Sequence, residues 1–495
     1  MQSQTRFDVV IIGAGAVGNA IARTLSSYCL SVAVVEKEAD TAFGISGRNS
    51  GVVHAGFNNK PGSLMAQLCV AGSEQFQQIA EELGIPFKRT GKLVIALTEE
   101  DIPALLALLA QGEANGTRLL RLVGAEEIRA INPNIKGVMG LWSGMTGVFD
   151  PFAYTCALAE AAAASGVTYF FNHRVAGIAA ENEAEEKNRN FKIQTLSHNG
   201  FSEDKDEIAG ELSARWVINS GGLQSDEICR MAGIDDYTIY PCRGEYHILD
   251  QKLAPYLSLP VYPVPNENSG GLGVHLTSAP SGNIIIGPSS EYIDEKEDYA
   301  DTRQVMEALF SEGRQLLPMI DAKSIIKSFA GVRPKLTSRD QGGFADFVIK
   351  ESEKIPGFII LTGIESPGIT SAVPIAEMVA GILSQKETLI KKESCDLIKE
   401  TRLSSLDGKA HTIVCRCEGI SEAGVLDAYD RILAIGAIPT MKGIKNRTRA
   451  GMGRCQGGFC LVKIVSLLQK KRGVDPLSSH FNTLQDSLFA GRCRE

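Results

Sequence analysis

An α/β fold built on a parallel sheet, with an inserted antiparallel β region and a small C-terminal unit, is what the sequence predicts. Three observations lead to it. Residues 9–12 form a run of four apolar residues, read as a buried parallel strand, that passes directly into Gly13-Ala14-Gly15-Ala16-Val17-Gly18 and a helical stretch. Strand followed by glycine recurs at 216–222, ending in Gly221-Gly222, and at 355–370, where Gly363 and Gly368 precede a helix reaching residue 383. Between these two, residues 237–288 turn to short alternating runs punctuated by Pro and Gly, as antiparallel strands do.

The opening stretch has the pattern of a dinucleotide cradle. Gly13 permits the tight turn, Gly15 lets backbone approach a pyrophosphate, and Gly18 lets the helix pack close to the strand. The helix N-terminus presents free N–H groups and a positive dipole end to phosphates. Glu36 closes the next strand, 32–36, where a carboxylate can accept a hydrogen bond from a ribose hydroxyl.

Composition narrows the function classes. The 495 residues suggest two or three domains, and 44% hydrophobic with 22% charged residues is ordinary for a globular enzyme. A net charge of −8 gives no electrostatic support to nucleic-acid binding. No apolar run approaches the ~18 residues of a membrane span; the longest, 102–110, contains Pro103 and is expected as a buried helix. A strand beginning at Phe7 leaves no room for a removable signal peptide, so the expected location is cytoplasmic, at most peripheral to the membrane through a partner. The eleven cysteines are then thiols or metal ligands, seven of them (29, 69, 156, 229, 242, 395 and 493) scattered as small buried hydrophobes.

Taken in order, residues 43–56 form a Gly/Ser/Asn-rich loop containing Ser46, Arg48, Asn49 and Ser50, suited to close contact with a cofactor, and His54 stands directly behind it. Residues 61–84 read as a helix stopped by Gly84, 89–97 as a strand and 99–113 as a helix. Asp150 before Pro151 is an N-cap for an alanine-rich helix to residue 165. Residues 167–171 are a strand, 181–206 an exposed charged hairpin or meander, 301–317 a helix and 386–410 a linker with some helix.

The last unit carries the most specific chemistry. Cys415 and Cys417 make a C-x-C pair, and after 37 residues Cys455 and Cys460 make C-x4-C. Four cysteines in two close pairs read as a tetrathiolate site, for which zinc and a [2Fe-2S] cluster are both chemically suitable. The tight C-x-C and the nearby Lys442, Arg447, Arg449 and Arg454 favour the anionic iron–sulfur cluster, and Gly451, Gly453, Gly457 and Gly458 can turn N–H groups toward sulfur.

These motifs carry a resemblance. Residues 1–385 resemble the FAD-dependent amino-acid-oxidase-type oxidoreductases, near the L-2-hydroxyglutarate dehydrogenases and the FAD-linked glycerol-3-phosphate dehydrogenases, through 13–18, Asn49-Ser50-Gly51-Val52-Val53-His54-Ala55-Gly56, Arg243-Gly244-Glu245-Tyr246, Gly331-Val332-Arg333-Pro334 and Ser366-Pro367-Gly368. Residues 411–465 are similar to the bacterioferritin-associated-ferredoxin-like [2Fe-2S] module. The resemblance implies FAD, held by Gly13, Gly15, Gly18, Glu36, Ser46, Arg48, Asn49, Ser50, Gly221, Gly363, Ser366, Gly368 and Thr370. It implies FAD-binding segments 1–85, 145–235 and 325–385, a substrate domain of 86–144 and 236–324, and a tail of 466–495. It also implies that Arg333 grips the anionic group of a small hydroxy substrate, that His54 or His275 takes the hydroxyl proton, and that Ser366 lies by the flavin ring. The expected reaction is hydride transfer to flavin from a 2-hydroxy acid such as L-2-hydroxyglutarate, with electrons leaving through the cluster to an electron-accepting flavoprotein or quinone-linked subunit. Glycerol-3-phosphate is the alternative substrate, although Leu272 stands where the glycerol phosphate oxidases carry a lysine. Oxidation of a proline- or opine-type amine, or a non-catalytic electron-transfer role, are the further alternatives.

Overall fold

The computed structural model describes residues 5–181, 190–198, 206–264, 273–393 and 412–491. Its organising strand is Arg6–Ile12, which is apolar on both faces because both are covered: Val9 and Ile11 belong to one buried cluster, Val10 and Ile12 to another. Val32–Val35 and Asp206–Asn219 flank it, both parallel. Thr168–Phe170 and Phe358–Thr362 extend the parallel sheet on either side. The helix Ala16–Leu25 packs against Pro151–Ala164 and Ala372–Ser384 on one face. Asp150 caps the second of these, accepting from the N–H groups of Phe152 and Ala153 at 3.0 and 3.1 Å.

A second sheet is separate from the first. It holds Lys92–Ala96, Tyr240–Leu249, His275–Ser278, Ile284–Gly287 and Ile325–Lys335, with antiparallel pairings except where Val261–Pro263 runs parallel to Lys92–Ala96. Ile325–Lys335 pairs along the length of Tyr240–Leu249, with Arg333 opposite Cys242. Residues 325–335, expected within a dinucleotide-binding segment, thus pair into the second sheet. Its hydrogen-bond partner decides this, and a partner is not written in a strand's own sequence.

Other expectations shift for equally local reasons. The helix expected from residue 61 begins at Leu64, because Ser63 accepts from the Ala66 N–H and caps it there. The helix Ile102–Ala114 lies on the surface: only Leu105 and Gly112 are buried, and the expectation of a buried helix fails because one face alone packs. The charged meander around 181–206 is not wholly exposed. Asn190–His198 pairs with Asp206–Asn219, and Phe191 and Ile193 are fully buried. Residues 182–189, 199–205, Leu272 and most of the 386–410 linker lie outside the described residues.

The C-terminal domain comprises a hairpin, Ile413–Cys415 with Ile420–Ser421, and the helices Glu422–Ala434, Met441–Thr448 and Leu461–Arg472. The last helix runs through residue 465, where the tail was expected to start. The N–H groups of Met441 and Lys442 then donate to the carbonyls of His480 and Phe481, both at 2.9 Å, docking the following segment onto the domain. Val425, Ile432, Ile444 and Leu468 share one buried cluster with Val9 and Ile21. A buried ion-pair network pins the join: Arg447 bonds Asp40 (2.5 Å) and Glu160 (2.9 Å), and Arg431 also reaches Glu160 (3.1 Å). No helix among the described residues is long and apolar enough to cross a membrane.

Candidate active site

A cavity of ≈ 1900 Å³ runs between the two sheets. A pocket for one small ligand spans roughly 300–1,000 Å³, so this one has room for an extended ligand and a second molecule. Gly13, Gly15, Glu36 and Ser46 line one part of it; His54, Lys92, His275, Arg333 and Ser366 line another.

The cradle fits a dinucleotide. Gly13 holds φ +102° with Ser220 O 2.7 Å from where a Cβ would stand, and a Cβ on Gly18 would lie 2.0 Å from Gly13 O. Only glycine allows this approach of helix, turn and strand. The Ala16 N–H donates to Ser46 Oγ (2.9 Å), so that hydroxyl sits at the helix N-terminus. Glu36 accepts from the Ala14 N–H (2.6 Å) and the Glu38 N–H (3.0 Å), and a carboxylate has lone pairs beyond these two. Burial, with Glu38 beside it, pushes the Glu36 pKa up to about 7.

Two of the expected cofactor residues act on the protein itself. Asn49 donates to Ser46 O (2.8 Å) and accepts from the Gly51 N–H (2.9 Å), fixing the loop. Thr370 Oγ1 accepts from the His54 N–H (3.1 Å) and contacts Val52 O (3.4 Å), positioning His54. Arg48 lies on the Tyr299 ring, 4.0 Å from its centroid. Ser50, Gly221, Ser366 and Gly368 line the cavity, while Gly363 holds φ +70° against Leu336.

At the reacting end, four cationic or titratable groups converge. His54 Nε2 is 3.5 Å from Ser366 Oγ, at the limit of a hydrogen bond. Burial, then Lys92, lowers its pKa to about 3. His275 Nδ1 lies 3.1 Å from Gly273 O, which assigns the proton to Nδ1 and leaves Nε2 an acceptor. Its ring stacks on Tyr262 at 3.7 Å. Burial, with Lys92, His54 and Arg333 nearby, holds it well below the usual histidine range despite the bond to Gly273. Arg333 donates to Ser289 O (3.1 Å) and Cys242 Sγ (3.8 Å).

Lys92 is a buried cation of the cavity that sequence reading passed over. It is 3% exposed, and its ammonium lies over the rings of Phe57 (4.5 Å) and Tyr262 (4.1 Å). Burial pushes its pKa down to about 7, against the small opposing pull of Cys69. Among the described residues neither Lys92 nor Arg333 has a carboxylate in ion-pair range; the nearest acid to Arg333, Glu365, pairs with Lys335 at 3.3 Å. The signal was present: a lysine inside the apolar strand Lys92–Ala96, a residue type rarely buried without a partner.

In the C-terminal domain, Cys417 and Cys455 lie with sulfurs 3.9 Å apart on the exposed side. Cys415 and Cys460 pair on the buried side, where desolvation and the neighbouring Cys415 push the Cys460 thiol up to about 12. N–H groups of Phe459 and then Gly457 lower the Cys455 pKa. Each pair joins the C-x-C half to the C-x4-C half. Two thiol pairs, each drawn from both halves of the motif, provide two thiolates for each iron of a [2Fe-2S] cluster. The basic residues expected to neutralise the cluster are engaged elsewhere: Arg447 with Asp40 and Glu160, Arg449 with Glu418 (3.0 Å) and Asp150 (3.3 Å), Arg454 with Asp250 (3.5 Å), and Lys442 with Phe43 O (3.5 Å).

Residues 8–382 match the FAD dependent oxidoreductase family, and residues 413–470 the BFD-like [2Fe-2S] binding domain. A glycerol 3-phosphate dehydrogenase of Caloramator mitchellensis is 34% identical over 485 residues, covering 95% of both chains. A mitochondrial L-2-hydroxyglutarate dehydrogenase of Arabidopsis thaliana is 34% identical over 410 residues, 76% of this chain and 83% of its own. Among solved structures, an L-alpha-glycerophosphate oxidase of Mycoplasma pneumoniae with FAD bound superposes with TM-score 0.70 at 27% identity, over 79% of this chain and 98% of that one. Cradle, cavity and paired thiols agree with these matches: the chain belongs to the FAD dependent oxidoreductases, FAD-binding dehydrogenases here joined to a BFD-like [2Fe-2S] domain.

Proposed function

We propose that the enzyme oxidises a small secondary alcohol bearing a strongly anionic group to its ketone, and that it does so at the cluster of Lys92, His54, His275 and Arg333. The observation that carries this is the pair of buried cations without carboxylate partners, flanking two neutral imidazoles in one cavity. Arg333 offers a planar fork to a carboxylate or phosphate. Lys92 supplies the second positive charge, in place of the lysine missing at position 272. His54 accepts the hydroxyl proton, held by Thr370 and facing Ser366, while His275 offers Nε2 as a second acceptor to the substrate. Bound FAD supplies the hydride acceptor and the cluster a route for single electrons. The partner is an electron-accepting flavoprotein or quinone-linked subunit. Its approach to the exposed Cys417–Cys455 edge is favoured by Phe459, which lies between Arg416 (4.7 Å) and Lys463 (4.1 Å). A cytoplasmic setting agrees with the nine described cysteines, none of which is in a disulfide and four of which form the cluster's ligand set.

Two substrates follow from this reading. Glycerol-3-phosphate is favoured by the relative that matches both domains end to end, and L-2-hydroxyglutarate by relatives matching the first domain. Anaerobic mixing with glycerol-3-phosphate, L-2-hydroxyglutarate, L-lactate, malate and L-proline separates them: the flavin absorbance bleaches with the true substrate. Bleaching by L-proline alone, or by none, defeats the proposal.

The Lys92 charge predicts a pH dependence. Its pKa of about 7 means that the cation is present below that pH and lost above it. kcat/KM, which reports the free enzyme, falls as pH rises through 7. Lys92→Met is expected to lower kcat/KM about 10- to 100-fold at pH 6, the worth of one charge-assisted bond, and to flatten the limb above pH 7. A variant that keeps the limb assigns it to another group.

A further inference from the structure

A second set of cations lies where the C-terminal domain meets the cradle. Arg48 comes from the loop after Ile45–Gly47, Lys327 from the strand Ile325–Lys335, and Lys442 and Lys445 from successive turns of the helix Met441–Thr448. They are close enough to disturb one another. Burial and then Arg48 and Lys327 bring Lys442 to about 8; burial and then Lys327, Lys442 and Arg48 bring Lys445 to about 8. The carboxylates facing Lys442 are engaged elsewhere: Glu38 lies 3.9 Å from Lys37, and Asp486 accepts from the N–H groups of Asn482 and Thr483. Among the described residues the four cations have no ion-pair partner, and the buried Nε of Arg48 has no hydrogen-bond partner at all.

Like charges gathered in a half-buried crevice repel strongly unless an anion lies between them. Arg48 and Lys442 line the same cavity as Gly13, Gly15 and Ser46. Lys442 also rests on the loop that carries Ser46, its ammonium 4.2 Å from the Phe43 ring centroid and 3.5 Å from Phe43 O. The anion that belongs beside this cradle is a diphosphate. We propose that Lys442 of the cluster-bearing domain and Arg48, which line the cavity, form an outer clamp on the diphosphate of FAD, with Lys445 and Lys327 behind them outside the lining adding to the positive field, so that this domain helps to retain the flavin. The inference rests on the FAD-binding reading of the cradle, not on the choice of substrate.

The test is FAD release from the holoenzyme, followed by the rise of free-flavin fluorescence on dilution across a range of salt. Lys442→Met/Lys445→Met, which keeps the apolar stems, is expected to release FAD about 10- to 100-fold faster and to lose most of the salt dependence. The visible spectrum of the cluster should be unchanged, showing the domain folded. Lys442→Arg/Lys445→Arg should release FAD like the wild type. Equal release from wild type and the methionine variant overturns the proposal, as does equal acceleration in both variants, which would mean packing alone. So does a variant with unchanged FAD release that has lost thermal stabilisation by inorganic pyrophosphate, since the crevice would then be a separate anion site. Bleaching with no substrate would sink the proposed reaction yet leave this result standing.

Discussion

Replacing His54 with Ala is expected to slow flavin reduction by substrate about 100- to 10,000-fold, the range for loss of a positioned general base. His54 is held at three points: its backbone N–H donates to Thr370 Oγ1 (3.1 Å), its backbone carbonyl accepts from Cys69 Sγ (3.4 Å), and its ring Nε2 faces Ser366. A pKa of about 3 keeps the imidazole of the free enzyme unprotonated at every working pH, and an anionic substrate bound beside it raises its basicity. Its titration therefore contributes no limb to kcat/KM between pH 5 and 9, and the fall above pH 7 belongs to Lys92. His54→Ala should retain FAD, because the bonds to Thr370 and Cys69 are made by the backbone, which the variant keeps. Stopped-flow absorbance at the flavin band measures the rate. His275→Ala in parallel separates the roles: its Nδ1 is tied to Gly273 O and only Nε2 is available, so its loss should raise KM more than it lowers the reduction rate. Unchanged reduction in His54→Ala would transfer the base to His275.

Arg447→Met is expected to destabilise the protein by about 3–5 kcal/mol, the cost of stranding a buried partner charge. Arg447 and Asp40 are both fully buried, and Glu160 nearly so. Burial opposes the guanidinium charge, but Asp40 and then Cys156 and Glu160 hold its pKa well above the usual value, so the charges attract in a dry setting. Arg431 can still neutralise Glu160 at 3.1 Å, whereas Asp40 would have no cation. Adding Asp40→Asn should therefore recover much of the loss. Urea unfolding followed by tryptophan fluorescence measures it, since Trp142 and Trp216 lie in the first domain and report its loss of support. An unchanged midpoint would mean that the apolar core alone holds the two domains together.

Much of the fold was legible because local chemistry and global structure agree. The strand Arg6–Ile12, its glycine turn, Glu36 and the Asp150 cap are all decided within a few residues of chain. The four cysteines were legible for the same reason, since thiolate spacing is itself the chemistry. Other features were hidden. The pairing of Ile325–Lys335 with Tyr240–Leu249 was not legible because a strand's partner lies far away in sequence. Lys92 was passed over because its significance comes from Phe57, Tyr262 and His275, on separate segments.

The sequence by itself determined two pieces of chemistry available to this protein: a glycine cradle for a dinucleotide and a tetrathiolate pair of pairs. Those depend on residue type and short spacing, which the chain carries directly, whereas the roles expected of His54, His275 and Arg333 came from the family resemblance. Tertiary structure alone decided where the charges go. It brought Lys92 and Arg333 into the cavity without carboxylates, spent Arg447 on Asp40 and Glu160 instead of on the cluster, and set Lys442 over the flavin loop. The physical reason is that a charge acts through space over a few ångströms, and which charges become neighbours is settled only when the sheets and domains pack.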